Sequence, residues 1–195
     1  MTERYSISLR VHGRVFLTGM VMVLAAGCGA PWTVVTRSGP PSALRGANPL
    51  VADADFTQAT MDGVPIAQAI GALPANEQSD VQTMLADLQQ TFITELASDV
   101  PVQVVTSNGP PAPGEVRVTM RAIDIARGGH SPFSPPSSLT VRISFSVGGQ
   151  ITDEIEVTRR MNWAVTRPSA ARRLRGLATQ MAQMGARFFR REQSR

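Results

Sequence analysis

Leu139-Thr-Val-Arg-Ile-Ser-Phe-Ser-Val147-Gly-Gly-Gln150-Ile-Thr-Asp-Glu-Ile-Glu-Val157 is the stretch whose pattern decides the fold. Leu139, Val141, Ile143, Phe145 and Val147 alternate with small or charged residues. Beyond Gly148-Gly149 so do Ile151, Ile155, Val157, Met161 and Trp163. Period-two alternation predicts strands with one buried face, and a Gly-Gly step between two such runs predicts a hairpin. A two-residue turn would set apolar odd positions against polar even ones. A three-residue loop, Gly148-Gly149-Gln150, instead puts Ile143 opposite Ile155, Val141 opposite Val157 and Arg142 opposite Glu156. That cross-strand ion pair contributes only ~0.2 to 1 kcal/mol. A one-residue slip, by contrast, turns every apolar side chain to water, so hydrophobic parity sets the register and the three-residue loop is expected.

Working outward, Gly128 to Ser137 is a Gly-, Pro- and Ser-rich loop carrying Phe133 and His130. Ahead of it Val116, Val118 and Met120 alternate with Arg117, Thr119 and Arg121, and the apolar parity flips at Ile123 and Ile125. A β-bulge near Ala122 produces such a flip. Val102, Val104 and Val105 suggest a further strand, broken by Gly109-Pro110-Pro111-Ala112-Pro113-Gly114, and Leu50 to Phe56 another, followed by a polar loop through Asp62-Gly63. Two helices complete the pattern. Ser79 with Gln82 three residues on makes a capping box, Asp80 suits the positive end of the helix dipole, and Val81, Met84, Leu85, Leu88, Phe92 and Leu96 line one face. This helix is expected over about 79–98, since Pro101 disfavours helical backbone at Val100. After Pro168-Ser169, Ala170, Leu174, Leu177, Met181, Met184 and Phe188 form a second stripe on a helix over about 168–191. The expected class is α+β: a small, mixed, largely antiparallel sheet of four or five strands against two helices.

Charge is distributed unevenly. The formal net charge is +4, and all 19 basic residues are arginine. From 28 to 100 two arginines face eight acids, net −6; from 101 to 195 fourteen face six, net +8. Low aromatic content, 5%, argues against nucleic acid as the partner of this basic half. Arg187, Arg190 and Arg191 suit the carboxyl end of the last helix, whereas Arg172, Arg173 and Arg175 lie in its first turns, where the dipole disfavours cations. A negative neighbour is therefore required. The acids between Asp80 and Asp99 are the internal candidate, and a lipid phosphate or an acidic partner the external one. These six arginines are the candidate anion- or partner-binding residues.

No nucleophile elbow, phosphate loop, dinucleotide fingerprint or metal-spaced Cys/His set occurs. Asp53 with Asp55, and Asp153, Glu154 and Glu156, are paired carboxylates for which acid-base or metal work is geometrically conceivable. The hairpin register assigns Glu156 to Arg142 instead, and His130 has no obvious nucleophile partner. The expectation is a non-enzyme with no cofactor and no metal.

The amino terminus bears on location. Arg4, Arg10 and Arg14 precede an apolar run, Val15 to Ala26, about 18 Å long as a helix and too short for a ~30 Å hydrocarbon core. Small residues Ala25, Ala26 and Gly27 lead to Cys28, the only cysteine. This is the layout of a secretory signal over 1–27. It resembles the lipobox of bacterial lipoproteins, in which the cysteine carries a diacylglycerol thioether and begins the mature chain. Ala25 stands where that motif usually has Leu, Val or Ile, so an ordinary A-x-A-like cleavage with an unmodified Cys28 is the alternative. The resemblance implies lipidation at Cys28 and, with Gly29 rather than aspartate following, an outer-membrane anchor facing the periplasm. Gly- and Pro-rich residues 28–49 form either a tether throughout or a tether with Trp32 to Thr36 docked as a strand. The domain is expected over 50–195. Its element order, with the Gly-Gly hairpin and the Arg172-Arg173-Leu174-Arg175 helix start, resembles uncharacterised envelope lipoproteins. That resemblance implies a non-catalytic domain docking or assisting a partner in an envelope transport or assembly complex. The alternative is a lipid- or glycan-binding module using the Gly128 to Ser137 loop or the arginine face, which requires a concave apolar pocket.

Overall fold

The computed structural model describes residues 31–47, 50–100, 114–167 and 169–195. The signal peptide expected over 1–27, Cys28 and the strand expected at Val102 to Val105 lie outside the described residues. Trp32–Arg195 makes one compact unit. Its elements run β1 (Thr33–Thr36), β2 (Leu50–Asp55), β3 (Thr60–Met61), β4 (Val64–Pro65), α1 (Ile66–Gly71), α2 (Ala75–Asp99), β5 (Val116–Ala126), β6 (Ser137–Val147), β7 (Gln150–Met161) and α3 (Ala170–Gln193). The class is α+β, with, among the described residues, a mixed seven-stranded sheet ordered β1-β7-β6-β5-β3-β4 and β2 also on β5. The sheet is larger than the four or five strands expected, and there is a third, short helix. β1, β3 and β4 hold only two to four residues, too few to display a period.

β5, β6 and β7 are antiparallel, while β2 and then β3 run parallel to β5 along its other edge. The expected register holds over most of the hairpin: Ile143 faces Ile155, Val141 faces Val157 and Arg142 faces Glu156. Its turn differs from the three-residue loop. Val147 pairs with Gln150 across Gly148 (φ 57°) and Gly149 (φ 88°), a two-residue turn needing left-handed backbone at both positions. Register then shifts between Phe145↔Asp153 and Ser146↔Ile151, so Thr152 is the extra residue and restores the parity. On β5 the pairing shifts between Ala122 and Asp124, beside the expected bulge.

One face of the sheet carries the core. Val116, Val118, Met120, Leu139, Val141, Ile143, Phe145, Ile155 and Val157 are buried beneath Leu88, Phe92 and Leu96 of α2 and Leu174, Leu177, Met181 and Phe188 of α3. The opposite face is a polar cross-strand row, in which Arg142 donates from Nη2 to Glu156 at 2.9 Å and Thr140 and Thr158 hydroxyls lie 3.1 Å apart. α2 begins at Ala75, one turn before the capping box at Ser79. Pro74, at φ −57° and ψ 152°, is the N-cap residue, and its fixed φ followed by Ala75-Asn76-Glu77 starts the helix early. The Ser79-to-Gln82 spacing therefore lies inside the helix.

Part of the stretch expected as a tether is folded. β1 pairs with the outer edge of β7, Ser38 donates to the buried Asp153 from its amide (3.0 Å) and its hydroxyl (2.8 Å), and Leu44 enters the core. Trp32 packs edge-on against Phe188. Arg37 binds Glu192, which also accepts Nη1 of Arg195 at 3.0 Å. Of the two alternatives, the docked strand is the one present at Thr33–Thr36, and the compact unit that includes it runs from Trp32. Four residues are too short a run for periodicity to announce this.

Glu192 makes this clasp acid-sensitive. Burial alone raises its pKa, but the bonds from Arg37 and Arg195 outweigh burial and hold it below the usual carboxylate range. A carboxylate depressed in the folded state contributes stability above its unfolded pKa of about 4.3, and this is lost as pH falls through the folded value. Acidification below about pH 4 should therefore loosen the segment and shift the emission of Trp32, recorded in a Trp163→Phe background. Glu192→Gln should flatten that transition; an unchanged acid profile in the glutamine variant would show that another group controls it.

Candidate functional site

At one end of the sheet the β5–β6 loop and the β7–α3 turn lie side by side, because Ala126 pairs with Ser138 and Ser137 with Met161. α3 starts there. Ser169 accepts the amide of Arg172 at 3.3 Å, a serine N-cap. Arg173 is fully buried. It donates from Nε to Ser137 Oγ (2.8 Å), from Nη1 to the Arg167 carbonyl (3.3 Å), and from Nη2 to the carbonyls of Arg127 (3.2 Å) and Gly129 (2.7 Å). Ser137 Oγ in turn donates to the Arg127 carbonyl. The planar fork thus ties both connections to the helix start.

The loop is braced within itself. The Gly129 amide donates to the Pro135 carbonyl at 3.0 Å, the Ser134 amide to the Ser131 carbonyl at 3.1 Å, and the two serine hydroxyls lie 2.8 Å apart. Gly128 sits at φ +68°, and a Cβ there would fall 2.6 Å from the Ser137 nitrogen, so only glycine fits. The neighbouring turn is closed by the Arg167 amide donating to the Ala164 carbonyl at 2.9 Å. Each turn carries an apolar residue at its tip, Phe133 at 99% exposure and Val165 at 82%. Val64, in the adjoining β3–β4 hairpin, is exposed as well. Asp62 of that hairpin accepts the Arg127 amide (2.9 Å) and its Nε (2.7 Å).

Beside the loop lies a cleft of about 720 Å³. Val81, Met84, Pro135 and Ala170 give it apolar walls, and Asp62, Asp80, Arg127 and His130 stand at its rim. His130 is exposed. Glu156 binds Arg142, Glu154 accepts Ser144 Oγ at 2.6 Å, Asp153 accepts Ser38, and Asp55 accepts the amide (2.8 Å) and hydroxyl (2.7 Å) of Thr57. Thr57's bonds hold Asp55 below the usual carboxylate range. Asp53 and Asp55 border a separate shallow hollow over Phe56 and Leu85. Among the described residues no group of three or more His, Cys, Asp or Glu could hold a metal, and no helix is long and apolar enough to cross a membrane.

The structure separates the six candidate arginines. Arg173 is internal, not an anion-facing residue: it occupies the inner face of α3, where carbonyl oxygens replace the anion. Arg175 pairs with Asp87 of α2, the internal counterion expected from the acidic segment. Arg172, Arg190 and Arg191 are exposed. Arg187 borders a shallow groove with Arg159 and Arg160, two strand residues that sequence reasoning did not single out. Position 173 is three residues after Ala170 and four before Leu177, so its place on the apolar face was readable from spacing.

The chain is similar in fold to the PelC dodecamer from Paraburkholderia phytofirmans, at 11% identity and a TM-score of 0.45, over 79% of this chain and 96% of that one. A variant of that dodecamer gives 12% identity and a TM-score of 0.39 over 79% and 96% of the two chains. An uncharacterised protein of known crystal structure gives 14% and 0.39 over 76% and 94%. No protein-family model and no curated protein matches the chain.

Proposed function

We propose that this chain is a membrane-anchored envelope lipoprotein of non-catalytic type, held through Cys28, that docks or assists a partner in an envelope transport or assembly complex. The lipobox-like stretch supports the anchor. The observation that carries the reading is the clasp between residues 32–44 and the domain: β1 on β7, Ser38 on Asp153, Arg37 on Glu192. An acylated cysteine four residues before Trp32 would then position the folded body itself, rather than a body on a long leash. Positioning is what a docking subunit requires.

The test is mass spectrometry of the mature amino terminus, with fractionation, for wild type and Cys28→Ser. Expected are a lipidated Cys28 in the outer-membrane fraction and a Cys28→Ser protein released from it. A soluble wild-type protein with an unmodified Cys28 would overturn the anchor. The cleft beside the Gly128 to Ser137 loop favours a second reading, a periplasmic lipid- or glycan-binding module. Native mass spectrometry of the same preparation separates the two by the presence of a co-purifying lipid or sugar.

A further inference from the structure

We propose that the end of the domain carrying Phe133 and Val165 dips into an anionic lipid surface. A fully exposed phenylalanine on a loose loop would mean little, since single exposed apolar residues are common. Here two of them top adjacent turns, each closed by its own backbone hydrogen bond. Both turns are fixed to α3 by one buried guanidinium. Rigid display of apolar side chains in water has no folding benefit: neither ring nor isopropyl group covers any core. It does lower the entropy lost on insertion, because the inserting groups are already ordered.

The polar surroundings choose the occupant. Arg167, in the second turn, and Arg172, in the first turn of α3, are exposed, and neither has an ion pair among the described residues. The nearby acids are Asp62, engaged by Arg127, Asp124, which accepts the Thr60 hydroxyl, and Asp80 at the cleft rim. Apolar tips flanked by guanidinium groups that have no ion pair among the described residues match a surface of phosphate headgroups over hydrocarbon, where each nearby arginine adds attraction and each buried apolar group adds transfer energy. This contact is independent of Cys28, and the experiment keeps the two apart.

The unit Trp32–Arg195 contains the entire core described above and is the protein to test. It is floated with vesicles of phosphatidylcholine alone and of phosphatidylcholine with phosphatidylglycerol. Binding is expected to the anionic vesicles. The double variant Phe133→Ser/Val165→Ser should bind about tenfold less or weaker still, and Arg167→Gln and Arg172→Gln about fivefold less each. The Phe133→Trp variant should give blue-shifted emission from its new indole, quenched by brominated acyl chains. All these side chains are exposed, so urea midpoints should stay at the wild-type value, which separates lost binding from lost folding. Wild type that stays off anionic vesicles, a double variant that binds as wild type does, or a Phe133→Trp emission that stays at its value in water would each overturn the proposal. The last result with retained binding would mean that the arginines hold the vesicle without insertion of the tip. None of these outcomes bears on lipidation, because Cys28 is absent from the protein tested.

Discussion

Arg173→Leu should lower the unfolding free energy by about 3 kcal/mol or more. Among the described residues its guanidinium donates to four oxygens: Ser137 Oγ and the carbonyls of Arg127, Gly129 and Arg167. A buried acceptor stripped of its donor costs about 1–3 kcal/mol, and hydrogen bonds to charged donors stand at the upper end of the usual range. Some of these carbonyls border solvent and will recruit water, which is why the expected loss is nearer the sum of small penalties than of large ones. In a domain of this size 1 kcal/mol corresponds to roughly 2–4 °C in Tm, so a fall of about 6–12 °C is expected. Arg173→Lys should recover part of the loss only, since an ammonium on one stem cannot span acceptors set to a planar fork. Urea denaturation measures both. Hydrogen exchange adds the local signature: the Gly129 and Ser134 amides should exchange faster in the leucine variant. A loss below 1 kcal/mol would mean that the two turns hold themselves.

That residue also marks how far the sequence can be read. Elements with a long period are legible. Hairpin parity yields the pairing of Ile143 with Ile155, and the stripe from Leu174 to Phe188 yields the buried face of α3. The form of the Gly148-Gly149 turn escapes that reasoning because parity reports only that one extra residue exists, not where; the structure puts it at Thr152. Arg173 and Glu192 are harder. Both are charged residues in an arginine-rich helix, and charge suggests solvent. Both nonetheless lie on the apolar face by spacing: Arg173 between Ala170 and Leu177, Glu192 three and four residues after Phe189 and Phe188. Each is buried because a non-local segment supplies its counterpart, carbonyls of two turns in one case and Arg37 in the other. Local patterning carries no information about such partners. For the same reason Phe133 reads as an ordinary loop residue, since its display depends on bonds made 40 residues away along the chain.

Phe188→Ala should lower stability by about 3–5 kcal/mol, among the largest losses for a truncation in α3. Its ring centroid lies 5.3 Å from that of Phe145 on β6 and 6.0 Å, at 89°, from that of Trp32. It therefore joins three parts of the domain that are remote in sequence: the sheet, the last helix and the amino-terminal segment. Phe189 offers the control. It stacks on Phe145 at 6.0 Å and is equally buried, with no ring contact to Trp32. Phe189→Ala should cost a similar amount of global stability while leaving Trp32 emission unchanged in a Trp163→Phe background. Phe188→Ala should cost that amount and also shift Trp32 to the red, as the indole gains water. A double-mutant cycle with Trp32→Ala should return a coupling of about 0.5–1.5 kcal/mol, the range for an edge-to-face aromatic pair. Should Trp32 emission respond equally to both alanine variants, the segment would be held by global folding alone. A response confined to Phe188→Ala would mean that this ring couples the start of the domain to its core, and any anchor upstream of Trp32 would then act on the sheet through it.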